Sequence, residues 1–439
     1  MNTRTCLALL LFLQVALPAN GRAQSNPRYV QFSPSAVKGA LYAPDSGPAP
    51  HVAILATHRT SNYMGYHGCR ELATRGFLVL CMNPRSDNNE ALVRWEDNAL
   101  DVRSGMTFLR AQPGITKVLL WGFSGGGTTS SFYQAVAENG TSYCKGAAKL
   151  IQCGEALSKL PPADGLILVD ANPGNAAMAL SRLNGAVTND AAIVGQNARP
   201  QIDPALDPFN GANGFNPKGA SKYSEAFQKA YSAAQAARMN RLIDLAQVRL
   251  REIENGAGRF SDDDGFLVAR AEAAELMLLD PSIHHTTARP QRLLKNDGTV
   301  VRQVVESVRP AQPELAAASS SLAQGSLFLT LRSFLSAYAI RAKDSMADVD
   351  WCSSNNSVPC AIQAISVPLL VTAMSANSYF RFNELHYELA KSTDKDFIII
   401  EGATHSQMPC VRCEVTPGQY SNATKNFFDY AAAWINKRF

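Results

Sequence analysis

The sequence predicts an α/β fold, with a mostly parallel central sheet flanked by helices and a largely helical cap. The first observation is an alternation between short apolar segments typical of buried strands and segments with helical periodicity. The strand segments are 52–57, 77–82, 117–123 and 165–170, and the clearest helical segments between them are 66–75 and 93–110. Strands that alternate with helices are typical of a parallel sheet with helices on both faces.

The second observation is that this alternation stops and later resumes. By pattern, residues 175–365 contain no comparable buried strand, but they do contain a long amphipathic helix at about 222–255 and another predicted helix near 326–342. The alternation resumes with strands at 368–374 and 397–401, and helices are predicted at about 381–391 and 422–437. We therefore expect a core formed by 24–174 and 366–439, with 175–365 inserted as a cap or lid.

Composition and the N-terminus restrict the class of protein. The 439 residues carry 41 basic and 37 acidic side chains, so no basic surface for nucleic acid is expected. Residues 1–23 combine Arg4, an apolar segment at 6–17 and small residues before Gln24, which is typical of a secretory signal peptide. No later segment is apolar enough to span a membrane. The mature chain is therefore predicted to be secreted or periplasmic.

Cysteine spacing suggests local disulfides. Removal of Cys6 with the signal peptide leaves eight of the nine cysteines, an even number in an oxidising compartment. Three pairs are close in sequence and the fourth is what remains: Cys144/Cys153, Cys352/Cys360, Cys410/Cys413 and Cys69/Cys81. Eight cysteines allow 105 connectivities, so local pairing is a hypothesis. No cysteine or histidine spacing indicates a metal site.

One motif carries the chemistry. A strand-type segment, 117–121, runs into Gly122-Phe123-Ser124-Gly125-Gly126, and a helical segment follows. This fits the Gly-x-Ser-x-Gly turn, in which a strained strand-to-helix connection exposes a serine hydroxyl. Glycines allow the tight turn, and the helix N-terminus favours negative charge beside the serine. Ser124 is therefore the candidate nucleophile.

With this motif, and with Gly402-Ala403-Thr404-His405 after the last strand, the sequence resembles the α/β-hydrolase superfamily over roughly 50–174 and 366–439. The resemblance implies acyl-transfer chemistry and the chain order serine, acid, histidine. His405 is the expected base for Ser124, because a serine hydroxyl needs a base within hydrogen-bond reach.

The acid has two candidates. The family usually places a carboxylate a few residues after the strand at 368–374, where this sequence has Asn377 instead. Asp170, at the end of the preceding strand, is preferred because some relatives take their acid from that strand. Glu384, which begins the helix after Asn377, is the alternative. The acid only orients and stabilises the histidine, so its position can differ between relatives.

The resemblance also implies an oxyanion hole. Its expected donors are the backbone N–H groups of Gly125, after the nucleophile, and of Arg59, in the turn after strand 52–57. Many relatives have a glycine at the position of Arg59.

These observations predict an exported serine hydrolase that cleaves a carboxylic ester through an acyl-enzyme on Ser124. The substrate would be a small-molecule or lipid-like ester, and neither cofactor nor metal is expected. An amidase or peptidase with the same triad is the first alternative. A non-catalytic binding protein on the same fold is the second, because fold alone does not establish function.

Overall fold

A computed structural model describes residues 26–190 and 200–439. The predicted signal peptide at 1–23 and Cys6 lie outside the described residues. A ten-stranded sheet forms the centre, in the order β1-β2-β4-β3-β5-β6-β13-β14-β8-β9. The strands are β1 Arg28–Gln31, β2 Lys38–Tyr42, β3 Val52–Thr57, β4 Leu78–Asn83, β5 Lys117–Phe123, β6 Gly165–Val169, β7 Gly265–Val268, β8 Gln291–Leu294, β9 Val300–Gln303, β10 Leu327–Thr330, β11 Ala342–Asp344, β12 Asp348–Val349, β13 Leu369–Met374 and β14 Lys395–Ile400.

All pairings from β4 through β8 in this order are parallel, whereas β1, β2 and β9 add antiparallel strands at the two edges. The helices are α1 His67–Ala73, α2 Trp95–Arg110, α3 Gly125–Asn139, α4 Asn175–Arg182, α5 Glu225–Glu254, α6 Leu276–Leu279, α7 Leu315–Ser320, α8 Leu331–Ser333, α9 Val358–Ala361, α10 Phe380–Leu389 and α11 Ala423–Arg438. The mostly parallel sheet flanked by helices is confirmed.

The sheet separates two apolar cores, because successive side chains of a strand point to opposite faces. Leu55 and Leu120 belong to the core that includes residues of α2 and α3. Ile54 and Trp121 belong to the other core, together with Phe427 of α11. The central strands are buried on both faces, which explains why they read as continuous apolar segments in the sequence.

The segment 175–365 differs from the expectation in two places. β8 lies in it and yet joins the central sheet, pairing in parallel with β14 through Leu293 and Leu294. β8 and β9 have four residues each, and every residue of β9 is exposed. Strands of this length carry no long apolar run, so the pattern did not indicate them. The helix expected near 326–342 is also wrong: β10, α8, a π-helical turn at Phe334–Tyr338 and the start of β11 occupy it.

Four disulfides connect neighbouring cysteines. Their Cα atoms are 5.1 to 6.3 Å apart, within the range of disulfides, and the pairs are Cys69–Cys81, Cys144–Cys153, Cys352–Cys360 and Cys410–Cys413. The structure thus contains the local pairs that the spacing suggested. Within 26–190 and 200–439, no helix is long and apolar enough to cross a membrane.

His386 of α10 makes stability depend on pH. Its side chain is fully buried, and within the described residues neither ring nitrogen has a hydrogen-bond partner. Burial lowers the pKa of His386 from 6.5 to about 3. Between these values the unfolded chain binds a proton that the folded chain does not. The folded state therefore loses stability as pH falls from about 6.5 towards 3.

We expect His386→Leu to remove this contribution. The free energy of unfolding of the variant minus that of the wild type should rise as pH falls from 7 to 4, by up to about 1.4 kcal/mol per pH unit. Urea unfolding at a series of pH values measures it. His285→Gln is the control, because the His285 side chain is 44% exposed. An unchanged difference across this pH range would contradict the expectation.

Candidate active site

The turn between β5 and α3 presents Ser124. Its backbone has φ 55° and ψ −128°, a conformation that side-chain-bearing residues rarely adopt. The turn is held by close backbone packing, since a Cβ added to Gly122 would lie 2.6 Å from the Cα of Gly127. A Cβ on Gly126 would overlap the carbonyl oxygen of Thr57 at the end of β3. Glycine is therefore required at both positions for this turn to form.

His405 follows β14 and lies beside Ser124. Its Nε2 is 2.8 Å from Ser124 Oγ, and its Nδ1 is 2.7 Å from Asp170 Oδ2. The ring also packs on Phe123, with ring centroids 4.9 Å apart. Gln407 Nε2 donates to the carbonyl oxygen of His405 at 2.7 Å, which fixes the backbone of the loop. With Nδ1–H donating to the carboxylate, Nε2 is left to accept the hydroxyl proton of Ser124.

Asp170 stands directly after β6 and is fully buried. Three donors surround its carboxylate: the Met374 N–H donates to Oδ1 at 3.2 Å, while Asn377 Nδ2 and His405 Nδ1 donate to Oδ2 at 2.6 and 2.7 Å. A buried carboxylate requires such bonds to stay charged. The contacts join the carboxyl ends of β6 and β13 to the loop after β14.

Asn377 contacts the carboxylate of Asp170 and does not take its place as the partner of His405. Its Nδ2 is also 3.1 Å from His405 Nδ1. When that ring nitrogen carries the proton donated to Asp170, it cannot accept from Asn377. The amide donor is therefore used on Asp170, and Asn377 acts by holding the carboxylate beside the histidine.

Glu384 lies elsewhere, in α10. Its carboxylate accepts hydrogen bonds from the backbone N–H groups of Ala288 and Arg289 at 2.9 and 3.2 Å, and from Gln291 Nε2 at 2.8 Å. It also pairs with Arg381. These bonds fasten α10 to the segment before β8. Asp170 therefore lies beside His405, whereas Glu384 connects α10 to the segment before β8.

The two predicted oxyanion donors lie on either side of the nucleophile's turn. Gly125 is the first residue of α3, and Arg59 stands in the turn after β3. The guanidinium of Arg59 bends towards α3, since its Nη1 lies 2.9 Å from the position that a Cβ on Gly125 would take. Glu90 accepts from Arg59 Nε at 3.1 Å and holds it there. The roles of both backbone N–H groups remain predictions.

A cavity of about 250 Å³ opens over Ser124. Met178 and Ala179 give it a small apolar wall. Its other lining side chains besides Ser124 are polar or charged: His58, Arg59, Asn172, Asn175, Arg182, Glu272, Tyr338 and Tyr379. Arg182 lies within 3.4 to 3.5 Å of Glu272, Glu275 and Tyr379.

Much of this lining could not be predicted from local sequence patterns. Arg182, Glu272 and Tyr338 come from the segment 175–365 and reach Ser124 through tertiary packing, so local pattern gives no signal for them. His58 could have been found, because it directly precedes Arg59 in the turn after β3. In 26–190 and 200–439, no group of three or more histidine, cysteine, aspartate and glutamate side chains is arranged to hold a metal ion.

Asp170→Asn tests the carboxylate. We expect the rate constant kcat for ester hydrolysis to fall about 10⁴-fold, because an amide at this position favours the wrong histidine tautomer. Steady-state kinetics with p-nitrophenyl acetate measures the effect.

Glu384→Gln is the matched control. We expect kcat to stay within about threefold of the wild type while the free energy of unfolding falls by about 1–3 kcal/mol, because bonds to a buried carboxylate are lost. Full activity of Asp170→Asn, or a loss in Glu384→Gln equal to that of Asp170→Asn, would contradict this assignment.

Comparisons with known proteins give structural likeness only. No protein-family model and no curated protein matches the chain. Solved structures similar to it include the α/β-hydrolase GrgF from Penicillium sp. sh18, with 11% identity, coverage of 94% of this chain and 98% of that one, and a TM-score of 0.43. A soluble variant of monoglyceride lipase from Saccharomyces cerevisiae has 12% identity, coverage of 96% and 97%, and a TM-score of 0.40.

Brefeldin A esterase, described as a bacterial homologue of human hormone-sensitive lipase, has 10% identity, coverage of 98% and 80%, and a TM-score of 0.41. Three features of the chain are independent of these comparisons. They are the strand order of the central sheet, the serine in the turn after β5 and the histidine after β14. On these features, the chain has the α/β-hydrolase fold.

Proposed function

We propose that this protein is a serine hydrolase that cleaves a carboxylic ester through an acyl-enzyme on Ser124. The supporting observation is the continuous line of contacts from Ser124 Oγ to His405 Nε2 at 2.8 Å and from His405 Nδ1 to Asp170 at 2.7 Å. Nucleophile, base and orienting carboxylate at hydrogen-bond distances are the parts that acyl transfer by serine requires.

The reaction follows from these positions. Ser124 Oγ attacks the ester carbon as its proton passes to His405 Nε2, and the carbonyl oxygen takes the electron pair of the broken π bond. When this intermediate collapses, His405 gives the proton to the departing alcohol and the acyl group remains on Ser124. Water then attacks the acyl group in the same way, which releases the carboxylic acid and restores both side chains. The carboxylate of Asp170 stabilises the imidazolium in each step.

Among the predicted small-molecule or lipid-like esters, the size and lining of the cavity favour a compact, polar one. About 250 Å³ leaves little room for a long acyl chain, and the apolar wall consists of Met178 and Ala179. Asn175 also lines the cavity, and its Nδ2 is buried with no partner among the described residues. An unpaired buried donor favours a ligand that brings an acceptor.

Export is part of the proposal. The segment 1–23 has the composition of a signal peptide, and four disulfides fit an oxidising compartment.

A fluorophosphonate probe tests the nucleophile. We expect the wild type to be labelled and Ser124→Ala to lose labelling completely, because the probe reacts with an activated serine hydroxyl. Ser130→Ala is the matched control, since Ser130 lies in the same helix and is buried. In-gel fluorescence and peptide mapping report the site. Labelling that persists in Ser124→Ala would refute the role of Ser124, and no labelling of the wild type would favour a non-catalytic binding protein.

A chain-length series tests the substrate class. We expect kcat/KM for p-nitrophenyl acetate to exceed that for the octanoate by about tenfold or more, because the apolar wall of Met178 and Ala179 is too small to cover the additional methylenes. Rates are corrected for spontaneous hydrolysis of each ester. Faster turnover of the octanoate would contradict the compact site, and faster turnover of p-nitroacetanilide than of the acetate ester would favour the amidase alternative.

A further inference from the structure

His58 brings a side-chain nitrogen beside Gly125, whose backbone N–H is a predicted oxyanion donor. It follows β3, is 7% exposed, and lines the cavity together with Ser124. Its Nε2 lies 2.6 Å from the position that a Cβ on Gly125 would occupy. The absence of a side chain at Gly125 therefore makes room for the imidazole over the N-terminus of α3, beside the predicted backbone donor.

The hydrogen bonds of the ring determine which nitrogen carries the proton. The backbone N–H of Ser61 donates to His58 Nδ1 at 3.2 Å, so this nitrogen offers a lone pair. Burial, followed by the nearby Arg59 and His405, holds the pKa of His58 well below 6.5. The neutral ring then carries its single proton on Nε2. Stacking on Tyr63, with centroids 5.3 Å apart, fixes the ring's orientation.

This donor is available to a substrate. Among the described residues, no protein acceptor forms a hydrogen bond with His58 Nε2, although its Nδ1 is bonded. A preorganised donor at a developing oxyanion stabilises the transition state, and a neutral imidazole can fill this role without giving up its proton.

We propose that the Nε2–H of His58 is a catalytic oxyanion donor, additional to the predicted backbone donors. This inference rests on the proposed serine hydrolysis. As the bond between Ser124 Oγ and the carbonyl carbon forms, the carbonyl oxygen gains an electron pair and accepts the hydrogen bond from Nε2–H. No proton is transferred from His58, and the bond weakens again when the alcohol departs and the carbonyl re-forms.

His58→Asn separates the two nitrogens of the ring. Its Oδ1 can still accept from the Ser61 N–H, but the shorter side chain does not reach Gly125. We expect kcat for p-nitrophenyl acetate to fall about 10²–10³-fold, with KM within about threefold, as for loss of one oxyanion donor. A trifluoromethyl ketone, which forms a tetrahedral adduct with the serine, should bind more weakly by a similar factor. His285→Asn is the exposed-histidine control.

Several outcomes would overturn the proposal. One is a kcat of His58→Asn within about twofold of the wild type, and another is unchanged ketone inhibition. If wild type hydrolyses esters through Ser124 and His58→Asn keeps this activity, the oxyanion role fails and the proposed function stands. If wild type has no Ser124-dependent turnover, both fail.

A measurement on the wild type covers the case in which His58→Asn does not fold. In protein labelled with ¹⁵N-histidine, we expect the proton resonance on His58 Nε2 to shift downfield when the ketone adduct forms. Through-space contacts to the ring of Tyr63, which stacks on His58, assign this resonance in the wild type. An unshifted resonance in the adduct would overturn the proposal.

Discussion

The buried carboxylate of Asp170 is the constraint on which the candidate site depends. A fully buried charge must be hydrogen-bonded, and its donors come from Met374, Asn377 and His405. Satisfying it therefore brings together the ends of β6 and β13 and the loop after β14. The same contacts set the ring of His405, whose other nitrogen reaches Ser124. The hydrogen bonds to Asp170 therefore both stabilise the carboxyl ends of these strands and set the geometry of the proposed reaction.

The turn of Ser124 adds a second constraint, from close packing. Glycines let the turn approach β3 and the following helix, and Gly125 leaves space that the side chains of His58 and Arg59 enter. The strained backbone of Ser124 therefore lies close to the side-chain nitrogens of His58 and Arg59. Segment 175–365 contributes Arg182 and other polar side chains to the cavity over the serine. The resulting site is small and polar, which separates it from the apolar grooves expected for long acyl chains.

Sequence patterns predicted the parts of the fold that are buried on both faces. The central strands, such as 52–57, read as continuous apolar segments because helices cover both sides of the sheet. β8 and the edge strand β9 could not be recognised, because strands of four residues carry too little pattern. At the site, Ser124 and His405 were predicted by local motif, whereas the preference for Asp170 over Glu384 rested on the resemblance to some relatives. The choice between them depends on which carboxylate the tertiary packing places beside the histidine. Arg182 and Tyr338 likewise reach the site only through tertiary contacts.

The proposed reaction requires Ser124 to carry the acyl group during turnover. Rapid mixing with a p-nitrophenyl ester, followed by acid quench and peptide mass mapping, tests it most directly. We expect a burst of p-nitrophenol that approaches one equivalent per enzyme and an acyl mass on the peptide containing Ser124, with both absent in Ser124→Ala. Hydrolysis that proceeds through Ser124→Ala, or an acyl group trapped on another residue, would contradict it.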